Sequence, residues 1–493
     1  MRFKRASGIL LHPTSLPGPH GIGDLGPAAY RWVDFLFSSG TTLWEILPLG
    51  PTGYGDSPYQ CFSAFAGNPY LISLEYLERD GWLHENELGK SGNFPEHEVD
   101  FGRLIPWKLN LLEQAFQQFS ADPEPVQLEF DQFCSTQAAW LDDYALFMAI
   151  KEAQGGGSWA QWPPDIRRRE PEAMQAARQM HASAVKRHQF YQFVFFRQWT
   201  ALREYAHQKD IQIIGDVPIF VAYDSADVWA HPELFFLDGE GKPTVVAGVP
   251  PDYFSPTGQL WGNPLYRWDT HRDSGYRWWL DRIQASLKMV DILRVDHFRG
   301  FAGYWEIPAG NPTAEIGRWV PGPGAEFFTA LKTGLGDLPI IAEDLGVITP
   351  DVTALRKQFR LPGMKILQFA FSGPDNPFLP HLYEPKCVAY TGTHDNDTAN
   401  GWYASAPEAE KQFARRYLHA EGSAFAWDLI RACWSSVAVF ALAPLQDLLD
   451  LGTEGRMNFP SRPGGNWTWR FPEAAVNDEL AARIRELNYL YLR

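Results

Sequence analysis

The chain is poor in the residues that mark several common functions. Its four cysteines, Cys61, Cys134, Cys387 and Cys433, lie far apart, with no CxxC or Cys/His spacing that would hold zinc or form a redox pair. They are expected to be reduced, with Cys387, at the start of an apolar strand, as plain core. Cationic residues are outnumbered, 43 Lys and Arg against 59 Asp and Glu, for a net charge of −16. Nucleic acid and anionic membranes both demand basic surface to neutralise phosphates, so neither is an expected partner, whereas a neutral ligand fits. Runs of about eighteen apolar residues, the length that crosses a bilayer, are absent. The first apolar stretch, Ile9-Leu10-Leu11, stops at His12-Pro13 and is too short for a signal peptide, so a cytoplasmic protein is expected. No internal repeat or low-complexity tract is apparent.

What the chain has in quantity is aromatic rings: 20 Trp, 19 Tyr and 33 Phe. Many must be core, but several sit in Pro/Gly-rich loops, where flat rings suit ligands with apolar faces and hydroxylated edges, as sugars have. The organising stretch is Asp291-Ile292-Leu293-Arg294-Val295-Asp296-His297-Phe298-Arg299-Gly300. As a strand it alternates faces, putting Ile292, Arg294 and Asp296 on one side and Leu293 and Val295 on the other, with a cation and a carboxylate side by side at its C-terminal tip. Ile340-Ile341-Ala342-Glu343-Asp344 and Val388-Ala389-Tyr390-Thr391-Gly392-Thr393-His394-Asp395 end in the same way. Three apolar strands each delivering a carboxylate at the C-terminal end is the arrangement of a (β/α)8 barrel.

Eight strand candidates alternate with helices: Ser7 to Leu11, Thr42 to Leu47, Ile211 to Pro218, the Asp296 and Glu343 strands, Lys365 to Phe369, Cys387 to Thr391 and Ser436 to Leu442. The pattern predicts a (β/α)8 TIM barrel spanning 1–493, with a doubly wound sheet as the competing α/β arrangement. Three insertions are expected. The stretch from about 67 to 205 reads as helices, including Trp107 to Phe119, Phe130 to Gln154 and Arg187 to Gln208, and is too long for structureless loop. The segments from about 219 to 273 and about 301 to 324 are dominated by loop-formers, and the first contains an aromatic stretch, Pro251-Asp252-Tyr253-Phe254-Ser255 to Trp261, that reads as a lid. A last helix, Asp478 to Leu492, leaves no room for an appended β-sandwich.

Paired carboxylates at a barrel rim can break a glycosidic bond with retention: one attacks the anomeric carbon, and an acid about 5–5.5 Å away protonates the leaving oxygen. The acid must stay protonated near neutral pH, which a neighbouring carboxylate favours, while Arg294 is expected to hold Asp296 ionised. Spacing alone does not assign the parts of Asp296, Glu343 and Asp395. Acidic strand ends also suit a Mg²⁺ site or a sugar-phosphate enzyme, although the Gly-rich phosphate loop of such barrels is missing.

Four segments, Gly215-Asp216-Val217-Pro218, Leu293 to Gly300, Ile341 to Gly346 and Thr391 to Thr398, resemble in order the four conserved regions of the α-amylase clan. With His12-Pro13-Thr14-Ser15-Leu16-Pro17, Gly55-Asp56-Ser57-Pro58-Tyr59-Gln60, Pro251 to Ser255 and Arg456-Met457-Asn458, nearly the whole chain resembles the amylomaltases, the 4-α-glucanotransferases or disproportionating enzymes. That resemblance implies Asp296 as nucleophile, Glu343 as general acid/base and Asp395 as the residue that binds sugar hydroxyls and distorts the ring. It further implies Arg294 orienting Asp296, His394 hydrogen-bonding the sugar, Asp216 as a structural or substrate-side aspartate, Tyr59, Asp252, Trp261 and Asn466 as subsite contacts, and Tyr54 at a second, remote glucan site. The implied partners are α-1,4-glucans and maltooligosaccharides, with no cofactor and no metal. A hydrolase of the same clan would use the same carboxylates, and a glucan-binding protein without catalysis would keep only the aromatics.

Overall fold

Apolar runs of period two, separated by helices, fold as their spacing predicts. The computed structural model describes residues 3–88, 93–121, 124–251, 255–460, 462 and 464–493. Its strands are β1 (Ala6–Leu10), β2 (Leu43–Glu45), β3 (Gln212–Pro218), β4 (Val245–Val249), β5 (Gln259–Pro264), β6 (Ile292–Asp296), β7 (Gly303–Pro308), β8 (Arg318–Pro321), β9 (Ile340–Ala342), β10 (Gly363–Ile366), β11 (Cys387–Tyr390) and β12 (Phe440–Pro444). Eight of them form a closed barrel in the order β1-β12-β11-β10-β9-β6-β3-β2. Because β1 pairs in parallel with both β12 and β2, the sheet has no edge, which rules out the doubly wound alternative.

Alternation along the strands sorts the side chains. Leu43, Ile214, Ile292, Ile341, Val388 and Phe440 pack into one buried cluster inside the barrel, while Leu293 and Val295 belong to the core outside it. Two residues further along the same strands, the inward positions become Glu45, Asp216, Arg294, Glu343 and Tyr390, and only on β12 does the successor, Leu442, stay apolar. The barrel interior is thus an apolar floor beneath a polar layer.

The surrounding helices bury one stripe each. The helix Pro27–Ser38 starts with Pro at its first turn and buries Trp32, Val33 and Leu36; Gly40, at φ 69°, takes the left-handed turn that ends it. Between β2 and β3 the chain passes through the long helices Phe101–Phe119, Glu124–Ala153 and Ala182–Gln208.

The two segments read as loop, 219–273 and 301–324, are more ordered than their composition suggests. They supply β4, β5, β7 and β8, which join in a four-stranded antiparallel sheet of order β5-β4-β7-β8. These strands span four to six residues and are interrupted by Gly or ended by Pro, and the pairing that stabilises them, β4 with β7, links the two segments across intervening β6. Asp252, Tyr253 and Phe254, the heart of the expected lid, lie outside the described residues.

Candidate active site

The register of β3, β6 and β9 gathers the charged side chains. Asp216 pairs with Arg294 and Pro218 with Asp296 across β3 and β6. Beyond β9, the Glu343 N–H donates to the Val295 carbonyl at 3.0 Å and the Phe298 N–H to the Glu343 carbonyl at 3.0 Å, so the ladder continues and sets Glu343 beside the tip of β6. Arg294 is buried and divides its guanidinium, one amino group donating to Asp216 and the other to Asp296 at 3.0 Å. Tyr59 completes the chain by donating its hydroxyl to the same Asp216 oxygen at 2.6 Å.

Glu343 is held differently. Its Oε2 accepts from the His297 N–H at 2.8 Å and its Oε1 from the Leu345 N–H at 2.9 Å. His297 stands at φ 49°, a left-handed conformation uncommon outside Gly, Asn, Asp and His, and its amide reaches Glu343 from that turn immediately after the Asp296 strand. Among the described residues no cation bonds Glu343. Burial, then the charge of Asp296, push its carboxyl well above the usual range.

Asp296 differs from expectation. Burial also raises it, and Arg294, though hydrogen-bonded to it, limits that rise without overcoming it, because the same guanidinium is shared with Asp216. The two carboxyls titrate as a pair. With Arg294 on Asp296, whose side chain is 31% exposed, and only backbone amides on Glu343, the last proton resides on Glu343.

Asp395 lies on the opposite wall, after β11. Its side chain is 49% exposed and its Oδ1 accepts from Asn458 Nδ2 at 2.6 Å, while Arg456 donates to its backbone carbonyl at 2.8 Å. His394 Nε2 is 3.4 Å from that Oδ1. Its ring stacks on Tyr59 at 5.1 Å and burial lowers its pKa, which leaves a neutral imidazole.

These observations meet the comparisons with known proteins. Residues 11–476 match the model of the 4-alpha-glucanotransferase family. The chain belongs to that family. It is 53% identical to a 4-alpha-glucanotransferase of Thermus thermophilus over 99% of both chains, and 52% identical to one of Synechocystis over 100% of this chain and 99% of that protein. Among solved structures, an amylomaltase from Streptococcus agalactiae in complex with acarbose superposes with a TM-score of 0.97 at 42% identity, covering 99% of this chain and 100% of that one. The chain is therefore read as an enzyme of the 4-alpha-glucanotransferases, on the TIM barrel the strand pattern predicts.

The remaining predicted positions divide. Half-buried Trp261 stands edge-on to the His297 ring at 4.8 Å, beside the turn that holds Glu343. Asn466 accepts from the Phe459 N–H and donates to the Arg462 carbonyl, both at 2.9 Å, and so shapes the loop after β12. Tyr54 is 79% exposed at a surface turn. Asp252 lies outside the described residues. Among the described residues no three His, Cys, Asp or Glu gather as metal ligands.

Sequence reasoning passed over Asn458 as a partner of Asp395, since 63 residues separate them. It also passed over Glu45, buried in the polar layer, where its Oε1 accepts from the Tyr390 hydroxyl at 3.1 Å. A lone charge inside Leu43-Trp44-Glu45-Ile46-Leu47 was the available signal.

Proposed function

We propose that this enzyme transfers α-1,4-glucan segments by a retaining double displacement at Asp296 and Glu343. An Asp296 oxygen attacks the anomeric carbon of the donor; the C1–O4 bond breaks as the Glu343 proton passes to O4, and the reducing-end fragment leaves. A glucanyl ester on Asp296 remains. The Glu343 carboxylate then takes the proton from an acceptor 4-hydroxyl, whose oxygen attacks C1 and displaces Asp296. A new α-1,4 bond replaces the old one, and where the acceptor is the far end of the same chain, the product is a ring.

The observation that carries this reading is the unequal support of the two carboxyls. Asp296 has the Arg294 guanidinium at 3.0 Å, whereas Glu343 has two backbone amides and an acidic neighbour. One environment suits a nucleophile and the other a proton carrier. Asp395, opened to solvent and steadied by Asn458, is read as the residue that binds sugar hydroxyls and favours the distorted ring. Tyr59 and His394 form the floor of that subsite.

Transfer prevails over hydrolysis when a sugar reaches the ester better than water does, and Trp261, beside the Glu343 turn, supports exclusion of water. The four free cysteines agree with action in the cytoplasm, and no helix among the described residues is long and apolar enough to cross a membrane.

Incubation with maltotriose tests the reading. Glucose and longer maltooligosaccharides at a constant number of reducing ends are expected. A rising number of reducing ends with only shorter products would make water the acceptor and the enzyme a hydrolase.

A further inference from the structure

Of the 20 tryptophans, one alone is exposed: Trp319, on the edge strand β8, at 43%. Its setting is built. Leu260, Gly248, Trp305 and Trp319 stand in register across β5, β4, β7 and β8. Directly paired residues project to the same face, so they make one row across the small sheet. Gly248 leaves the middle of the row low. Trp305 is pinned by its Nε1–H, which donates to the Ala314 carbonyl at 2.9 Å, and by Gly317, where a Cβ would come within 2.6 Å of the indole. Trp319 meets Trp305 edge-on at 5.3 Å, and the Arg299 guanidinium lies 3.8 Å from the centre of the Trp319 ring. With one ring face on a buried arginine and one edge on a fixed indole, Trp319 has little rotamer freedom left to lose on binding.

The platform connects directly to the reaction rim. Arg299 lies two residues beyond His297, whose amide holds Glu343, and it donates to the carbonyl of Val347, an exposed residue in the loop that follows Glu343. Exposed Ile316 lies just before β8, while Arg318, paired with Glu306, belongs to the opposite face of the small sheet and leaves the Trp face apolar.

We infer that the Trp305–Trp319 row is a glucan-binding platform outside the catalytic cleft, which stacks a sugar ring of a long α-glucan on the free face of Trp319 while the reacting bond lies between Asp296 and Glu343. A flat indole presented by fixed packing matches the apolar face of a pyranose. Short donors do not extend to it. The platform therefore acts on chain-length preference and leaves the chemistry at the carboxylates alone. This rests on the proposed action on α-1,4-glucans.

The test compares Trp319→Ala and Trp319→Tyr with the parent enzyme, using maltotriose, amylose and migration through a native gel containing glycogen. Trp319→Ala is expected to raise KM for amylose about threefold to tenfold, the worth of one lost stacking contact, and to weaken retardation by glycogen. Its maltotriose kinetics should be unchanged, and Trp319→Tyr should restore most of the loss. Unchanged amylose kinetics and retardation would overturn the inference. So would an equal loss on maltotriose, which would make Trp319 structural, or a change in sedimentation of Trp319→Ala without glucan, which would make the face a contact between copies. If the parent enzyme failed to disproportionate maltotriose, the proposed reaction would fall instead.

Discussion

The same strands run through two layers of the barrel, and two residues separate packing from chemistry. Ile214, Ile292, Ile341 and Val388 fill the floor; Asp216, Arg294, Glu343 and Tyr390 stand above them on the same inward face. Backbone geometry is common to both layers. What differs is the cost of burial: the floor gains from leaving water, whereas the upper layer brings several carboxyls around the single guanidinium of Arg294. Glu45, Asp296 and Glu343 are all pushed upward by burial first. Stability is built in the lower layer and partly given up in the upper one for reactivity.

The largest expected effect separates the layers most cleanly. Asp296→Asn removes the attacking oxygen while keeping the side chain's shape, so transfer from maltotriose should fall at least about a thousandfold, and the thermal midpoint should not fall. Measured side by side, Ile341→Ala in the floor should lose roughly 2–5 kcal/mol of stability while the folded fraction keeps kcat/KM within a few fold. A large drop in stability for Asp296→Asn, or a silent Ile341→Ala in chemical denaturation, would break the division.

Glu45 sharpens it, because it stands in the reactive layer yet has no part in the proposed chemistry. It is 4% exposed, and burial, opposed by Arg294 and reinforced by Asp216, raises its pKa from 4.5 to about 8. The folded enzyme therefore binds a proton that the unfolded chain, near 4.5, releases first. Stability contributed by that proton is fully present below pH 4.5, declines as pH rises and is gone above about 8. Glu45→Gln should remove this slope. Its advantage over the parent in urea unfolding should grow between pH 5 and pH 8, reaching roughly 1–3 kcal/mol, with maltotriose activity within about threefold at neutral pH. An advantage independent of pH would mean that Glu45 ionises freely.

The barrel was legible in the sequence because several of its strands are apolar runs that end in charge, and their inward residues obey period two, as Ile292 and Arg294 or Ile341 and Glu343 do. Boundaries slipped where chemistry was mixed: the sixth strand, read as Lys365 to Phe369, is Gly363–Ile366 followed by a 3-10 turn, and the eighth, read as Ser436 to Leu442, is Phe440–Pro444. The four-stranded sheet was illegible because its partners are distant in sequence and its strands carry Gly and Pro, which read locally as turns. In the site, the carboxylates and Arg294 were visible as strand ends. What steadies them was not: the His297 and Leu345 amides carry no side-chain signature, and Asn458 reaches Asp395 only through the folded loop after β12.

The last effect probes where the layers touch the substrate. Tyr59 makes two contacts of different kinds, a ring stack on His394 at 5.1 Å and a hydroxyl bond to Asp216 at 2.6 Å. Tyr59→Phe keeps the first and deletes the second, leaving the shared Asp216 Oδ2 to Arg294. Arg294 should then lean further towards Asp216 and less towards Asp296. If the hydroxyl works through this chain of charges, kcat/KM should fall by about tenfold to a hundredfold, the worth of roughly 1.5–3 kcal/mol for a hydrogen bond to a charged group, with a stability change smaller than that. Unfolding and maltotriose kinetics measured on one preparation decide it. A stability loss of this size with full activity in the folded fraction would move Tyr59 out of the reactive layer and into the packing around it.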